Sequence, residues 1–318
     1  SDVPGPDGKP ITISPSVSLA VGGRGGSGGS GGDIVFSSDF SKSLPARGLD
    51  LSPRVSTSGT SSPAVRLIST GGGGGSGGNA FSLAGSIPGS FDVAVSTSLG
   101  GAGGDGGDGG QVTATNTGRL STRGLDSPGL LALSTGGGGG TGGLAVSAYL
   151  DLAALGDVQG TVAAATSIGG QGGGGGDGGD IEIVNQLAGV VSTEGDISPT
   201  IYASSVGGGG GRGGDSIGLG LLLQTDAVAV SGSTSIGGKG EKGGDGGAVT
   251  VRNNGFLLAG TSGEAEFSYG IFAQSVGGGG GTGGVASSVT LDIYKTFLGW
   301  TDLQKNAKKS GSVNLSDG

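Results

Sequence analysis

Two kinds of glycine run alternate along this chain, and their regular return constrains the fold more than any side chain does. The short kind has five glycines, one other residue and two more glycines, and begins at Gly71, Gly136, Gly207 and Gly277. The long kind is written in threes and occupies Gly22–Gly32, Gly100–Gly110, Gly169–Gly179 and Gly237–Gly247. Long-run starts are spaced 78, 69 and 68 residues apart, and short-run starts 65, 71 and 70. The 318 residues are therefore about four copies of one unit, and a fixed period of this kind marks a repeat architecture. A flexible linker would not recur with the same length and the same lead-in serine.

The flanks keep register with the runs. After each long run, apolar residues fall two and four places on: Ile34/Phe36, Val112/Ala114, Ile181/Ile183 and Val249/Val251. This is the period of a half-buried strand. An apolar residue precedes each long run (Val21, Leu99, Ile168, Ile236), and Val93, Val162 and Val230 lie six places earlier on the same strand face. Two places before each short run stands Ser69, Ser134, Ser205 or Ser275; nine places before stands Ser62, Ser127, Ser198 or Ser268. Pro63, Pro128 and Pro199 follow those outer serines, with Tyr269 in the fourth copy, which reads as a turn entering a strand. Turn signals such as "NTG" at Asn116–Gly118 and "NNG" at Asn253–Gly255 separate the strands. The one stretch with a helical pattern is "TDLQKNAKK", Thr301–Lys309.

A run that must be ordered without side chains suits the polyglycine-II helix, a threefold extended helix whose glycine faces admit backbone contact. The third positions of the long runs are mostly polar, as in Arg24, Ser27 and Ser30 or Ala102, Asp105 and Asp108, so that side meets water. The short runs carry one side chain each (Ser76, Thr141, Arg212, Thr282), which predicts that they are the more enclosed and that the long runs form the outer layer. Glu241 breaks the pattern and predicts an additional open face on the fourth long run. Fixing glycine backbone is entropically costly, so only many mutual N–H···O=C bonds in a stack of runs offset it. Gly71, Gly75, Gly136, Gly140, Gly207, Gly211, Gly277 and Gly281 are the expected structural glycines of that stack. The expected fold is an all-β repeat protein, β-sheets layered with polyglycine-II helices in an elongated solenoid-like rod. Residues 1–10 form an N-terminal extension, 11–291 one repeat domain, and 292–318 a C-terminal segment that starts a further unit or is an inserted loop.

Composition narrows the chemistry. Glycine supplies 83 residues and proline only 10, which excludes collagen. Cysteine, methionine and histidine are absent, so disulfides, thiolate or imidazole metal sites and Cys/His nucleophile systems are excluded. A chain without cysteine suits export through an oxidising space. Net charge is −9 and no basic stripe exists, which disfavours nucleic acid; "QKNAKK", Gln304–Lys309, reads as a solvated segment. No apolar run approaches a membrane-spanning helix, and the start, "SDVPGPDGKP", is not a signal peptide. "GGAGGD" at Gly100–Asp105 matches the opening of a calcium-binding nonapeptide repeat, but the apolar eighth place is Gly107 and the tandem period is missing, so exposed aspartates are the better reading. "GGKGEKGG" lacks the context of a phosphate loop. Asp105 and Asp108 have no pocket signal to make them an acid–base pair. Tyr294, Phe297 and Trp300 form the densest aromatic group, either packing on the repeat or serving as a contact patch for a ligand or subunit.

The cadence from Ser235 through Gly247, then Val249, Val251, Asn253, Gly255, Ser268, Gly270, Ile271, Ala273, Ser275 and Gly277–Gly284, resembles the glycine-rich repeats of bacterial autotransporter passenger regions. The copy from Ser98 through Gly143 matches nearly as well, and the resemblance covers roughly residues 11–291. It implies a secreted, surface-displayed, elongated β-rich stalk or adhesin. Neither an export signal nor a C-terminal membrane barrel is legible, so the expectation is one segment of a longer fibre. Read together, the residues and the resemblance point to a non-enzymatic extracellular structural fibre without cofactor or metal, making homotypic end-to-end contacts. The alternative is an adhesin that contacts glycan or a partner through long-run faces or the variable loops Ala84–Asp92 and Asp151–Gln159. Ice binding is disfavoured by Asp and Arg on the projecting side.

Overall fold

The structure, a computed structural model, describes residues 13–38, 54–86, 91–151, 160–224, 228–261, 263, 265–294, 308–309 and 312–315. Each repeat folds into one coil of five strands. In the first coil these are β1 (Ile13–Val21), β2 (Ile34–Ser37), β3 (Arg54–Thr57), β4 (Val65–Thr70) and β5 (Ala80–Ser86). The second has β6 (Phe91–Leu99), β7 (Val112–Asn116), β8 (Arg119–Thr122), β9 (Leu130–Thr135) and β10 (Ala145–Asp151). The third has β11 (Gly160–Ile168), β12 (Ile181–Asn185), β13 (Val190–Thr193), β14 (Ile201–Val206) and β15 (Ser216–Gln224). The fourth has β16 (Val228–Ile236), β17 (Val249–Asn253), β18 (Phe256–Leu258), β19 (Ile271–Val276) and β20 (Ala286–Tyr294). Two further short strands are β21 (Lys308–Lys309) and β22 (Ser312–Leu315). Lys308–Lys309 is thus strand where the pattern of Thr301–Lys309 suggested helix; the rest of that stretch lies outside the described residues.

Equivalent strands stack into five sheets. The leading sheet, β1-β6-β11-β16-β22, precedes the long runs, and the trailing sheet, β21-β20-β15-β10-β5, follows the short runs. Three far sheets, β2-β7-β12-β17, β3-β8-β13-β18 and β4-β9-β14-β19, close the other end of each coil. Pairing is parallel and in register throughout, except for antiparallel β20/β21; for example, Ser69, Ser134, Ser205 and Ser275 lie side by side. A chain can keep one register through every sheet only because each coil reproduces the turn geometry of the last. The fold is therefore an all-β solenoid-like stack whose sheets are joined by polyglycine-II helices. One leg of a coil, nine strand residues, a run and five more strand residues, spans roughly 80 Å, whereas four strands stack over only about 15 Å. The body is elongated along its strands.

The two ends of a coil are packed in opposite senses. Between the far sheets lies an ordinary core of Val65, Leu67, Val112, Leu120, Leu130, Ile181, Ile183, Val191 and Ile201, with Phe36 and Val251 against it. The period-two residues after the long runs face inward there, as their spacing predicts. Between the leading and trailing sheets the buried side chains are instead small or polar: Ala94, Ser96, Ser98 and Ala163 face Ser82, Ala84 and Ser147. Val93, Val162, Val230 and the residues that precede the long runs point outward, with Val21 67% and Val230 64% exposed. An apolar strand face is ordinarily the buried one. Here the facing glycine runs bring the two sheets too close for valine, isoleucine or leucine next to the runs, and Leu222 fits only toward the outer margin. Ser82 Oγ and Ser96 Oγ meet at 2.7 Å across the gap, and Ser233 Oγ and Thr290 Oγ1 at 2.8 Å.

The turn before each outer serine repeats as well. Ser61, Asp126, Ile197 and Phe267 all adopt positive φ, from 49° to 53°. Aspartate tolerates this left-handed conformation; a β-branched residue pays about 1–2 kcal/mol for it. Ile197 is 51% exposed and so gains little from burial in return. Replacing it by glycine or asparagine, Ile197→Gly or Ile197→Asn, is expected to raise stability by about 1 kcal/mol in denaturant unfolding.

Candidate functional site

The glycine runs form two facing layers, one of long runs and one of short. Within the long layer, the N–H groups of Gly22, Gly25, Gly28 and Gly31 donate to the carbonyl oxygens of Leu99, Ala102, Asp105 and Asp108 at 2.7–2.8 Å. The same every-third pattern joins the second long run to the third and the third to the fourth. Short runs bond likewise, as in Gly71 to Thr135, Gly74 to Gly138 and Gly77 to Thr141, each 2.8 Å. A zigzag ties the layers together: Gly72, Gly75 and Gly78 donate to Gly29, Gly26 and Gly23, and Gly107, Gly104 and Gly101 donate back to Gly72, Gly75 and Gly78. Two of every three residues thus spend their amide on a neighbouring run, which is the threefold bonding of polyglycine II.

Glycine is required at these positions by contact. A Cβ on Gly71, Gly136, Gly140, Gly207, Gly211 or Gly281 would lie 1.9–2.0 Å from a carbonyl oxygen. At Gly75 the closest atom is 3.2 Å away, the amide nitrogen of Gly26, and at Gly277 only Gly244 O lies near, at 3.8 Å. Six of the eight expected structural glycines are therefore locked by contact, and the two freer ones, Gly75 and Gly277, lie on the first and last short runs. The expectation of enclosed short runs and outer long runs is corrected. Both layers are bonded on two faces and expose the third, and on that face Gly138 and Gly209 are as exposed as Thr141 and Arg212. Two layers that bond only to each other leave neither inside.

The fourth long run does have an additional open face, as at an edge, since the amides of Gly240, Gly243 and Gly246 have no backbone partner among the described residues. Glu241 does not point to that face: it takes the register of Gly104 and Gly173, where a Cβ would meet the preceding long run's carbonyl oxygen at 2.0 and 1.9 Å. The lattice loosens around it: the Glu241 N–H reaches Gly211 O at 3.2 Å, whereas Gly238 and Gly244 make the neighbouring bonds at 2.8 Å.

Side chains finish what the runs leave unpaired. Ser69 Oγ donates to Gly32 O and accepts from Gly110 N–H, both at 2.9 Å, and Ser134 and Ser205 repeat this bridge in the next coils. Ser62, Ser127, Ser198 and Ser268 form a second ladder in which the hydroxyls of the last three each accept from the backbone N–H of the preceding coil's serine. Asn116 donates to Asn185 and Asn185 to Asn253 at 2.8 and 2.7 Å. The projecting aspartates cap third-face amides: Asp105 accepts from Gly174 N–H, Asp108 from Asp177 N–H, and Asp177 from Asp245 N–H, at 2.7–2.8 Å. Asp105 and Asp108 thus each satisfy a backbone amide of the next coil. Arg24 pairs with Asp105 at 3.1 Å, but both are too exposed for the pair to add much.

Among the described residues, titratable groups are buried only between the leading and trailing sheets. Asp292, 7% exposed, accepts from Ser231 Oγ at 2.8 and 2.9 Å, and burial pushes its carboxyl above the usual carboxylate range despite that bond. Burial likewise raises the Tyr149 phenol above 10. No group of three or more potential metal ligands occurs among the described residues, and none of their helices could cross a membrane. Of the aromatic patch, only the Tyr294 backbone, at the end of β20, is described; Phe297 and Trp300 lie outside the described residues. A described aromatic group that the sequence did not single out is partly exposed: Tyr202 and Phe272, both half-buried, stack across neighbouring coils at 4.9 Å, with the exposed Tyr269 at 6.1 Å from Phe272. Their signal was a shared register beside the outer serines.

Gly140→Ala, in the middle of the lattice, is expected to cost about 3 kcal/mol or to prevent folding, because backbone and not a movable side chain is in the way. Ser134→Ala, which strands Gly179 N–H and Gly110 O, should cost about 1–3 kcal/mol. Because folding raises the Asp292 carboxyl, its contribution is full below the unfolded carboxylate range and is lost as pH rises through the folded value. Asp292→Asn should therefore flatten the fall in stability on going from acid toward neutral pH, measured by thermal unfolding across that range. No protein-family model matches this sequence, and no curated protein or solved structure matches it.

Proposed function

We propose that this chain is a non-catalytic segment of an extracellular bacterial fibre or stalk, whose work is to hold shape and which lengthens by stacking coil on coil. The observation that carries this reading is the glycine lattice: eight runs are joined almost wholly by backbone bonds, and the side chains around them are spent on completing it. The likeness of the repeat cadence to autotransporter passenger regions supports the cell-surface location.

The two open sides of the stack favour homotypic contact. On the first coil, Gly23, Gly26, Gly29 and Gly32 have nothing within 4 Å of a Cβ position, although their counterparts Gly101, Gly104, Gly107 and Gly110 meet carbonyl oxygens at 2.0–2.4 Å. Glycine stands there without a need the chain itself supplies. The carbonyls of Arg24 and Ser27 and the amides of Gly23 and Gly26 match, in register, groups that the fourth long and short runs leave unbonded among the described residues. β22 lies beside β16 in the place of a further coil's leading strand, so a second copy that stacks there displaces it from Ser233–Ile236.

A second reading, a surface adhesin, is favoured by the half-buried Tyr202–Phe272 stack with the exposed Tyr269 ring beside it, an aromatic surface with a polar tip for a ligand to contact. A glycan array with the Tyr202→Ala, Phe272→Ala variant separates it from the structural reading.

For the structural reading, amide exchange at Gly104, Gly140, Gly173 and Gly211 should be slowed by several orders of magnitude, and electron microscopy should reveal end-to-end stacks. Gly26→Ala should abolish those stacks without lowering the melting temperature, whereas Gly104→Ala in the same register should unfold the coil. Random-coil exchange rates would sink the proposal, and stacks unaffected by Gly26→Ala would remove the end-to-end contact.

A further inference from the structure

The leading sheet turns its apolar face outward. On β1, β6, β11 and β16, alternate residues from 13 to 21, 91 to 99, 160 to 168 and 228 to 236 occupy the outer face. Not one of these residues is charged, and the only hydroxyls among them belong to Thr97, Thr166 and Thr234. Val17 is 72% exposed, Val228 77% and Val230 64%, values far beyond what scattered surface aliphatics would explain as one continuous sheet face. Parallel sheets are ordinarily covered on both faces. Among the described residues this one is covered on one face only, by the serine- and alanine-lined gap toward the trailing sheet.

We propose that the outer face of the leading sheet packs against the same face of a second copy of this chain, binding the stacks side by side. The area suffices. Four strands about 4.8 Å apart and nine residues long present roughly 570 Å² in projection, so two such faces bury about 1,100 Å² together, above the ~1,000 Å² that a specific interface needs. The shape fits as well. Gly160, Ala164 and Gly232 lie among the valines, so facing sheets can interdigitate at the usual separation of about 10 Å. Every strand of the partner repeats at the same coil spacing, so one matched row matches all of them. A different protein would find no charge and almost no hydrogen-bonding group by which to be recognised. A lipid bilayer fits less well. β1 and β5 are edge strands of the same slab, and hydrocarbon cannot satisfy their unpaired backbone groups.

This contact is separate from coil-on-coil stacking, since it uses the sheet face and not the glycine runs. The test is sedimentation equilibrium of the full chain over a wide concentration range, in the Gly26→Ala background so that axial stacking does not contribute, with vesicle flotation in parallel. A reversible dimer is expected, and Val162→Lys with Val230→Lys should weaken it at least tenfold. Val230→Thr, which keeps the β-branched shape at an exposed position, should weaken it less. Slow glycine amide exchange in each variant certifies that the coils are intact. The proposal is overturned if the protein with protected glycine amides stays monomeric at all concentrations. It is equally overturned if the lysine variant dimerises as tightly as its parent, or if the protein floats with zwitterionic vesicles and the lysine variant does not.

Discussion

Carbonyl oxygens that sit about 2 Å from where a Cβ would be are the constraint on which this molecule is built. No other residue permits that approach, and the approach is what lets every run share amides with its neighbours in two directions. A single ordered glycine run is unfavourable, since each residue gives up about 1–2 kcal/mol of backbone entropy for a bond worth about 0.5–1.5 kcal/mol. Order is therefore collective. The loosened bond at Glu241 illustrates how little the lattice gives when one Cβ enters it.

The spacing of the two glycine layers passes into the sheets that continue from them. Next to the runs, both ends of a coil carry serine: Ser96, Ser98 and Ser82 on one side, Ser69, Ser134 and Ser205 on the other. Toward the far end the chain adds a third sheet, the walls diverge, and leucine, isoleucine and valine fill the space. At the opposite end there is no third sheet. The gap stays narrow until Tyr149, Leu222 and the buried aspartates at its margin, so the aliphatic residues have nowhere to go but out. One molecule thus holds a conventional hydrophobic core and an inverted one, separated by a layer with no core at all.

Much of this was legible in the sequence, for identifiable reasons. The spacing of the runs fixed the number of coils, and the serines at two and nine places before each short run marked two ladders that the structure contains. Alternation after the long runs marked a buried face correctly. Alternation before them, at Val93, Val162 and Val230, marked a face equally well but not the side it would take. Period two distinguishes two faces and says nothing of which is covered; the signal was the run of Ala, Ser and Thr on the other face, interrupted only by Asp92 at its margin, residues small enough for the gap. The enclosure assigned to the short runs failed because one side chain per run was read as burial, when the exposed face was simply glycine. The capping by Asp105, Asp108 and Asp177 was invisible because it joins residues one full coil apart.

Because neighbouring coils recognise each other mainly through main-chain atoms, any coil can lie on any other. Insertion or loss of a whole unit by unequal exchange of its coding sequence would leave the contacts on either side chemically unchanged, with no compensating substitution required. The length of such a protein is then free to vary from one lineage to the next, while the third positions, facing outward and lightly constrained, diversify. Arg24, Ala102, Gln171 and Lys239, four different residues at one place in the repeat, already display that freedom within a single chain.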